Sequence, residues 1–159
     1  MSSEHRQEDR QFLARWVRDT CFGWLVGLVV IIVAGIGGDL IGAGEADSQF
    51  IIGLGMGAGV GYAQGRVVKC WLGAARDWTW TSVIGIGLPF VVFDFAGAIW
   101  SRLPDVPRLE LEVAISGLLV GALQRRVLSL HSSRANWWVP ACVAGWTLAA
   151  ATAASGSLL

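Results

Sequence analysis

The sequence predicts an all-α fold: a polytopic transmembrane helix bundle of about five spans, built on a parallel helical-hairpin repeat of about 60 residues. Three observations carry this. The first is the repeat. Gly57-Ala-Gly-Val-Gly61-Tyr-Ala-Gln64-Gly-Arg66-Val67 is followed by a polar loop and Trp78; Gly117-Leu-Leu-Val-Gly121-Ala-Leu-Gln124-Arg-Arg126-Val127 is followed by a polar loop and Trp138. The second is composition. The chain is 54% hydrophobic and 15% charged, against about 25% charged in soluble domains. Its 21 Gly and nine Trp fit helices packed closely in lipid and rings held at the interface. The third is the placement of the basic residues, which collect in alternate loops.

The 159 residues allow one domain: a segment 1–19 and a transmembrane domain 20–159. Residues 1–19 are polar and of mixed charge, and Arg10 to Arg18 interleave with Phe12, Leu13, Trp16 and Val17. That mixture suits a short amphipathic lead-in on a membrane surface. Apolar runs follow at 20–38, 50–68, 78–99, 111–128 and 137–154, each near the ~20 residues that cross a bilayer. The first run is preceded by a long polar segment, its apolar stretch exceeds the usual leader length, and no convincing small-x-small site follows it. It therefore reads as a retained span, not a cleaved leader. Short connections make successive helices antiparallel neighbours.

Orientation follows from charge. Arg6, Arg10, Arg15, Arg18, Arg66, Lys69, Arg76, Arg125, Arg126 and Arg134 fall on one side; Arg102 and Arg108 fall on the other. The positive-inside rule puts the ten in the cytoplasm, with the N-terminus inside and the C-terminus outside. The expected location is a bacterial inner membrane. Asp39, Glu45 and Asp47 make the first outer loop acidic.

Call the Trp-led helices type a and the Gly/Gln helices type b. The order is then a-b-a-b-a. The first helix fits more weakly: Trp16, Cys21 and Gly23-Trp24 resemble Trp137, Cys142 and Gly145-Trp146. Both hairpins keep one orientation. Many secondary transporters use inverted repeats instead.

The hairpin, with its Gly-x-x-x-Gly-x-x-Gln-x-x-x-Leu helix, basic turn and Trp-led helix, resembles uncharacterised bacterial multi-pass membrane proteins. Gly117, Gly121, Gln124 and Leu128 match the pattern; Gly57, Gly61 and Gln64 match it with Val68 in place of Leu. The resemblance spans roughly residues 50–150. It implies a membrane hairpin repeat and no activity, cofactor or catalytic residue.

The expected helix-packing or interface residues are Gly53, Gly57, Gly61, Gly65, Gln64, Gly117, Gly121 and Gln124. The four glycines of the second span recur every four residues, and Gly55 and Gly59 form a second row. Small residues let backbones approach, and intramembrane amides bond across helices. Asp94 is the one acid well inside an apolar run. It is read either as a structural ion pair with Arg102 or Arg108 or a hydrated acid, or as part of a proton or cation pathway. Trp16, Trp71, Trp78, Trp80, Trp137 and Trp138 are expected at the inner interface as an aromatic belt. Beside ten cations they would also suit anionic lipid headgroups.

Several chemistries find no support in the sequence. Net charge is zero, which argues against nucleic acid as a partner. Neither His5 nor His131 lies in a span, Cys21, Cys70 and Cys142 form no metal-binding spacing, and no nucleotide or nucleophile motif occurs. No cofactor, metal or catalytic residue is expected. The expectation is a non-enzymatic accessory, assembly or scaffold component whose partners are lipid, another membrane protein or further copies of itself. The alternative is a small channel or transporter using Asp94 and the glycine-faced second helix.

Overall fold

The computed structural model describes residues 3–40, 49–99 and 108–156, and every regular element among them is helical. The order is α1 (Ser3–Leu40), α2 (Phe50–Leu72), α3 (Ala75–Ile99), α4 (Arg108–Ser129), a 3₁₀ turn (Ala135–Trp137) and α5 (Trp138–Gly156). Glu45, Asp47 and Arg102, to which the sequence reading gives roles, lie outside the described residues.

Local chemistry sets the helix ends. α2 stops at Gly73, whose φ of 71° is left-handed and whose N–H reaches the Lys69 carbonyl at 3.2 Å. Glycine takes that conformation without a Cβ clash. α4 has Glu110 in its first turn and Arg126 in its last, both favourable to the helix dipole. Pro140 sits in the first turn of α5, where no backbone N–H is needed. Pro89 lies inside α3.

One element differs from its expected form. Residues 3–19 do not make a separate surface segment but continue into a single 38-residue α1. The reason is local: no Pro or Gly interrupts residues 3–22, and Arg, Gln, Leu and Ala all favour helix. The other four helices each reach slightly beyond the expected apolar runs, because polar end residues such as Lys69, Arg76 and Ser129 extend them.

Among the described residues, backbones pack between chain neighbours: α1 on α2, α2 on α3, α3 on α4 and α4 on α5, while α1 and α5 meet through tryptophan side chains. The helices therefore form an open arc, with α1 and α5 at its two ends. Two apolar clusters fill the arc. Met56, Val60, Ile86 and Val120 form one, and Val68, Trp78 and Val127 form the other.

Arg10–Leu40 and Ala75–Gly97 are each long and apolar enough to cross a membrane. Glycine and charge dilute the rest: α2 carries six glycines with Gln64, Arg66 and Lys69, and α4 carries Glu110, Glu112, Gln124, Arg125 and Arg126. α1 leaves Val29, Val33, Ile36 and Leu40 on its surface, so these four do not serve a core within the chain, unlike Trp16 and Ile31.

Candidate functional site: a tryptophan–glutamine core

The glycine rows sort by neighbour. A Cβ added at Gly57 would lie 2.9 Å from Val83 Cα, one at Gly61 2.6 Å from Ser82 Cβ, and one at Gly65 2.7 Å from Thr79 Oγ1. Gly53 faces the Phe90 ring. This row seats α3. The second row seats α1: a Cβ at Gly59 would fall 2.5 Å from the Gly23 carbonyl oxygen and from the Gly27 nitrogen. Gly117 and Gly121 do for α5 what the first row does for α3, meeting Trp146 Cβ and Cys142 Cβ at 2.8 and 3.0 Å. The glycines expected to pack all face a neighbouring helix of the same chain.

Close approach brings the two amides into the centre. Gln64 of α2 donates its Nε2–H to Thr20 Oγ1 of α1 at 3.1 Å and accepts the Trp78 indole N–H of α3 at 3.2 Å. Gln124 of α4 repeats the pattern one hairpin later. It donates to Ser82 Oγ of α3 at 2.8 Å and accepts the Trp138 N–H of α5 at 2.8 Å. Each glutamine thus bridges the helix before its own and the helix after. Ser82 also donates to the Trp78 carbonyl at 2.8 Å, so its hydroxyl is used both ways. Gln124 is 3% exposed, a burial that an amide tolerates because its donor and its acceptor are both paired.

The three tryptophans close the centre. Trp16, Trp78 and Trp138 have ring centroids 5.6, 5.7 and 5.6 Å apart, each pair edge to face. Edge-to-face pairing sets the positive rim of one ring against the negative face of the next. Of the tryptophans that the sequence assigns to an aromatic belt, Trp78 is 1% exposed and packs inside the bundle, whereas Trp16 and Trp138 are half-buried. The bridging glutamines hold Trp78 and Trp138 in place through their indole N–H groups. Trp71, Trp80 and Trp137 remain on the surface. Trp71 also meets Phe12, which stacks on Trp16.

Above the triad lies a cavity of about 270 Å³, whose lining includes Trp24, Val60, Ile86, Val120, Cys142 and Trp146. Its walls are mostly apolar, and the Trp24 and Trp146 rings meet across it with centroids 5.7 Å apart and planes tilted by 33°. A second cavity of about 300 Å³ lies between Met56, Phe90, Leu109, Val113 and Trp146, with Glu110 at its edge. Asp94 lines neither. It accepts the Phe50 backbone N–H at 2.6 Å and so caps the start of α2, where Gln49 makes no side-chain cap. The sequence reading gives Asp94 an arginine partner, water or an ion pathway; a backbone donor 44 residues away leaves no sequence signal.

Two features escaped the sequence reading. Glu112 is fully buried in α4, a burial that its place near a helix start does not announce. The hydroxyls of Thr20 and Ser82 serve the glutamines. Their signal was available: each lies four residues after a core tryptophan.

Comparison with protein-family models, with curated proteins and with solved structures finds no match. Among the described residues no group of His, Cys, Asp and Glu is placed to hold a metal ion.

Proposed function

We propose that this chain is a five-span integral membrane protein, without a catalytic centre, that serves as an accessory, assembly or scaffold component of a membrane complex. The single observation that carries this reading is how the interior polar groups are used. Both central amides and two of the three central indole N–H groups are spent on one another and on hydroxyls. Such a core fixes helices in place and presents no reactive group. The exposed apolar length of α1 and the repeated hairpin, with its resemblance to bacterial multi-pass membrane proteins, support the membrane setting. The charge asymmetry supports a cytoplasmic N-terminus and contact between the basic side and anionic headgroups.

The channel or transporter reading has less behind it. Asp94 caps α2, and the glycine faces of α2 are covered by α1 and α3. The test is reconstitution of the full chain in liposomes, with ion flux followed across several cations and pH gradients. The expected result is no flux above empty liposomes. A cation flux that Asp94→Asn abolishes without unfolding the protein would overturn the scaffold reading.

A further inference from the structure

One contact occurs twice in the arc and stands open the third time. Gly23, Gly85 and Gly145 hold the same place in α1, α3 and α5, each seven residues after Trp16, Trp78 or Trp138. A Cβ on Gly23 would lie 2.8 Å from Val60 Cα, and one on Gly85 2.5 Å from Val120 Cα. One on Gly145 would meet nothing within 4 Å. The hydrogen bonds break off at the same place. Trp78 and Trp138 each donate an indole N–H to a glutamine, whereas the Trp16 N–H has no acceptor among the described residues. Thr20 and Ser82 each accept a glutamine amide; Cys142, which follows Trp138 by the same four residues, accepts none. Gly145, Cys142 and Trp16 all line the 270 Å³ cavity at the groove between α5 and α1.

We propose that this groove receives a transmembrane helix from a partner polypeptide, antiparallel to α1 and α5. Its sequence would be a branched residue, a glycine, two further residues and a glutamine. This rests on the reading of the chain as a membrane assembly component. The two occupied positions supply the template. Val60-Gly61 and Val120-Gly121 each precede a glutamine by the same spacing. The valine covers the glycine of the preceding helix, the glycine seats the following helix, and the glutamine bonds to both. In the groove the branched residue covers Gly145 and the glycine seats Thr20. The glutamine accepts from Trp16, and its amide faces Cys142.

A second folded copy offers no such face. Its Gln64 and Gln124 are bonded within its own bundle, and the outward sides of α2 and α4 carry Leu54, Tyr62 and Leu118. A lipid chain fills volume but cannot accept the indole N–H.

The test places the full chain in phosphatidylcholine vesicles with a labelled single-span probe made from its own residues 108–129, which contain the template. Binding is read by energy transfer. The probe should bind, and its Gln124→Leu form should bind about three- to thirtyfold more weakly, the range for one interhelical polar contact in a membrane. In the chain, Gly145→Leu should abolish binding while leaving the fold intact, since its side chain enters open space. Trp16→Phe should erase the difference between the two probes. Equal binding of both probes by the wild-type chain, or full binding by the Gly145→Leu chain, would overturn the proposal. So would a groove filled by lipid alone, with binding no better than that of a polyleucine span. Self-association broken by Gly145→Leu, with no probe binding, would assign the groove to a second copy instead. A chain that inserts with five spans but ignores the probe sinks only the docking. A chain that fails to insert sinks the membrane reading as well.

Discussion

At the scale of single residues, pairing decides what each polar group is worth. Trp78 is buried, so loss of its acceptor strands a donor away from water, which costs about 1–3 kcal/mol. Gln64→Leu should destabilise the protein by about that much in detergent unfolding. The double variant Gln64→Leu with Trp78→Phe should cost less than the sum of the two single changes, because it leaves no stranded donor. Additive losses would mean that the pair does not act as a unit. Asp94 has a different task. Asp94→Asn keeps an oxygen able to accept the Phe50 N–H but loses its charge, so it should cost about 1 kcal/mol, typical of a weakened helix cap. Unfolding of Asp94→Asn beside wild type checks this, and a loss of several kcal/mol would point to a larger role for the charge.

At the scale of elements, the glycines divide into those that touch and those that do not. Gly59→Ala drives a Cβ into the backbone of α1, where nothing flexible can yield. It should cost about 1–3 kcal/mol, as overpacking does. Gly35 has open space around it, so Gly35→Ala should be neutral or slightly stabilising, since alanine is the better helix former. Thermal unfolding of both variants checks the contrast. Much of this was legible in sequence. Glycines every four residues announce a packing face, and the 60-residue repeat announces like hairpins. What sequence does not tell is which helix each row meets, since that depends on the order of helices around the arc. Nor does it separate a tryptophan at a membrane interface from one in a core, because Trp78 and Trp80 look equally suited to either. Only the amide held opposite Trp78 separates them.

At the scale of the whole molecule, length matters. A 38-residue α1 runs about 57 Å, well beyond the ~30 Å of bilayer hydrocarbon. In the proposed bilayer setting part of it would project from the lipid or tilt within it, with Arg10, Arg15 and Arg18 at the projecting end. In the proposed orientation that end lies in the cytoplasm. With the native cysteines replaced, a cysteine at position 132 should react with an impermeant reagent only from the cytoplasmic side, and one at position 47 only from the other. Labelling in the reverse sense would invert the orientation.

The three central indoles have an optical consequence. Chromophores held edge to face at 5.6–5.7 Å share their excited states, and that coupling falls with the cube of their separation. Their near-ultraviolet circular dichroism should therefore carry a paired signal that belongs to the triangle and to no single ring. Because the rings come from α1, α3 and α5, the signal dims if any one of those helices drifts outward. The protein thus contains a native gauge of its own closure, readable without attaching any dye.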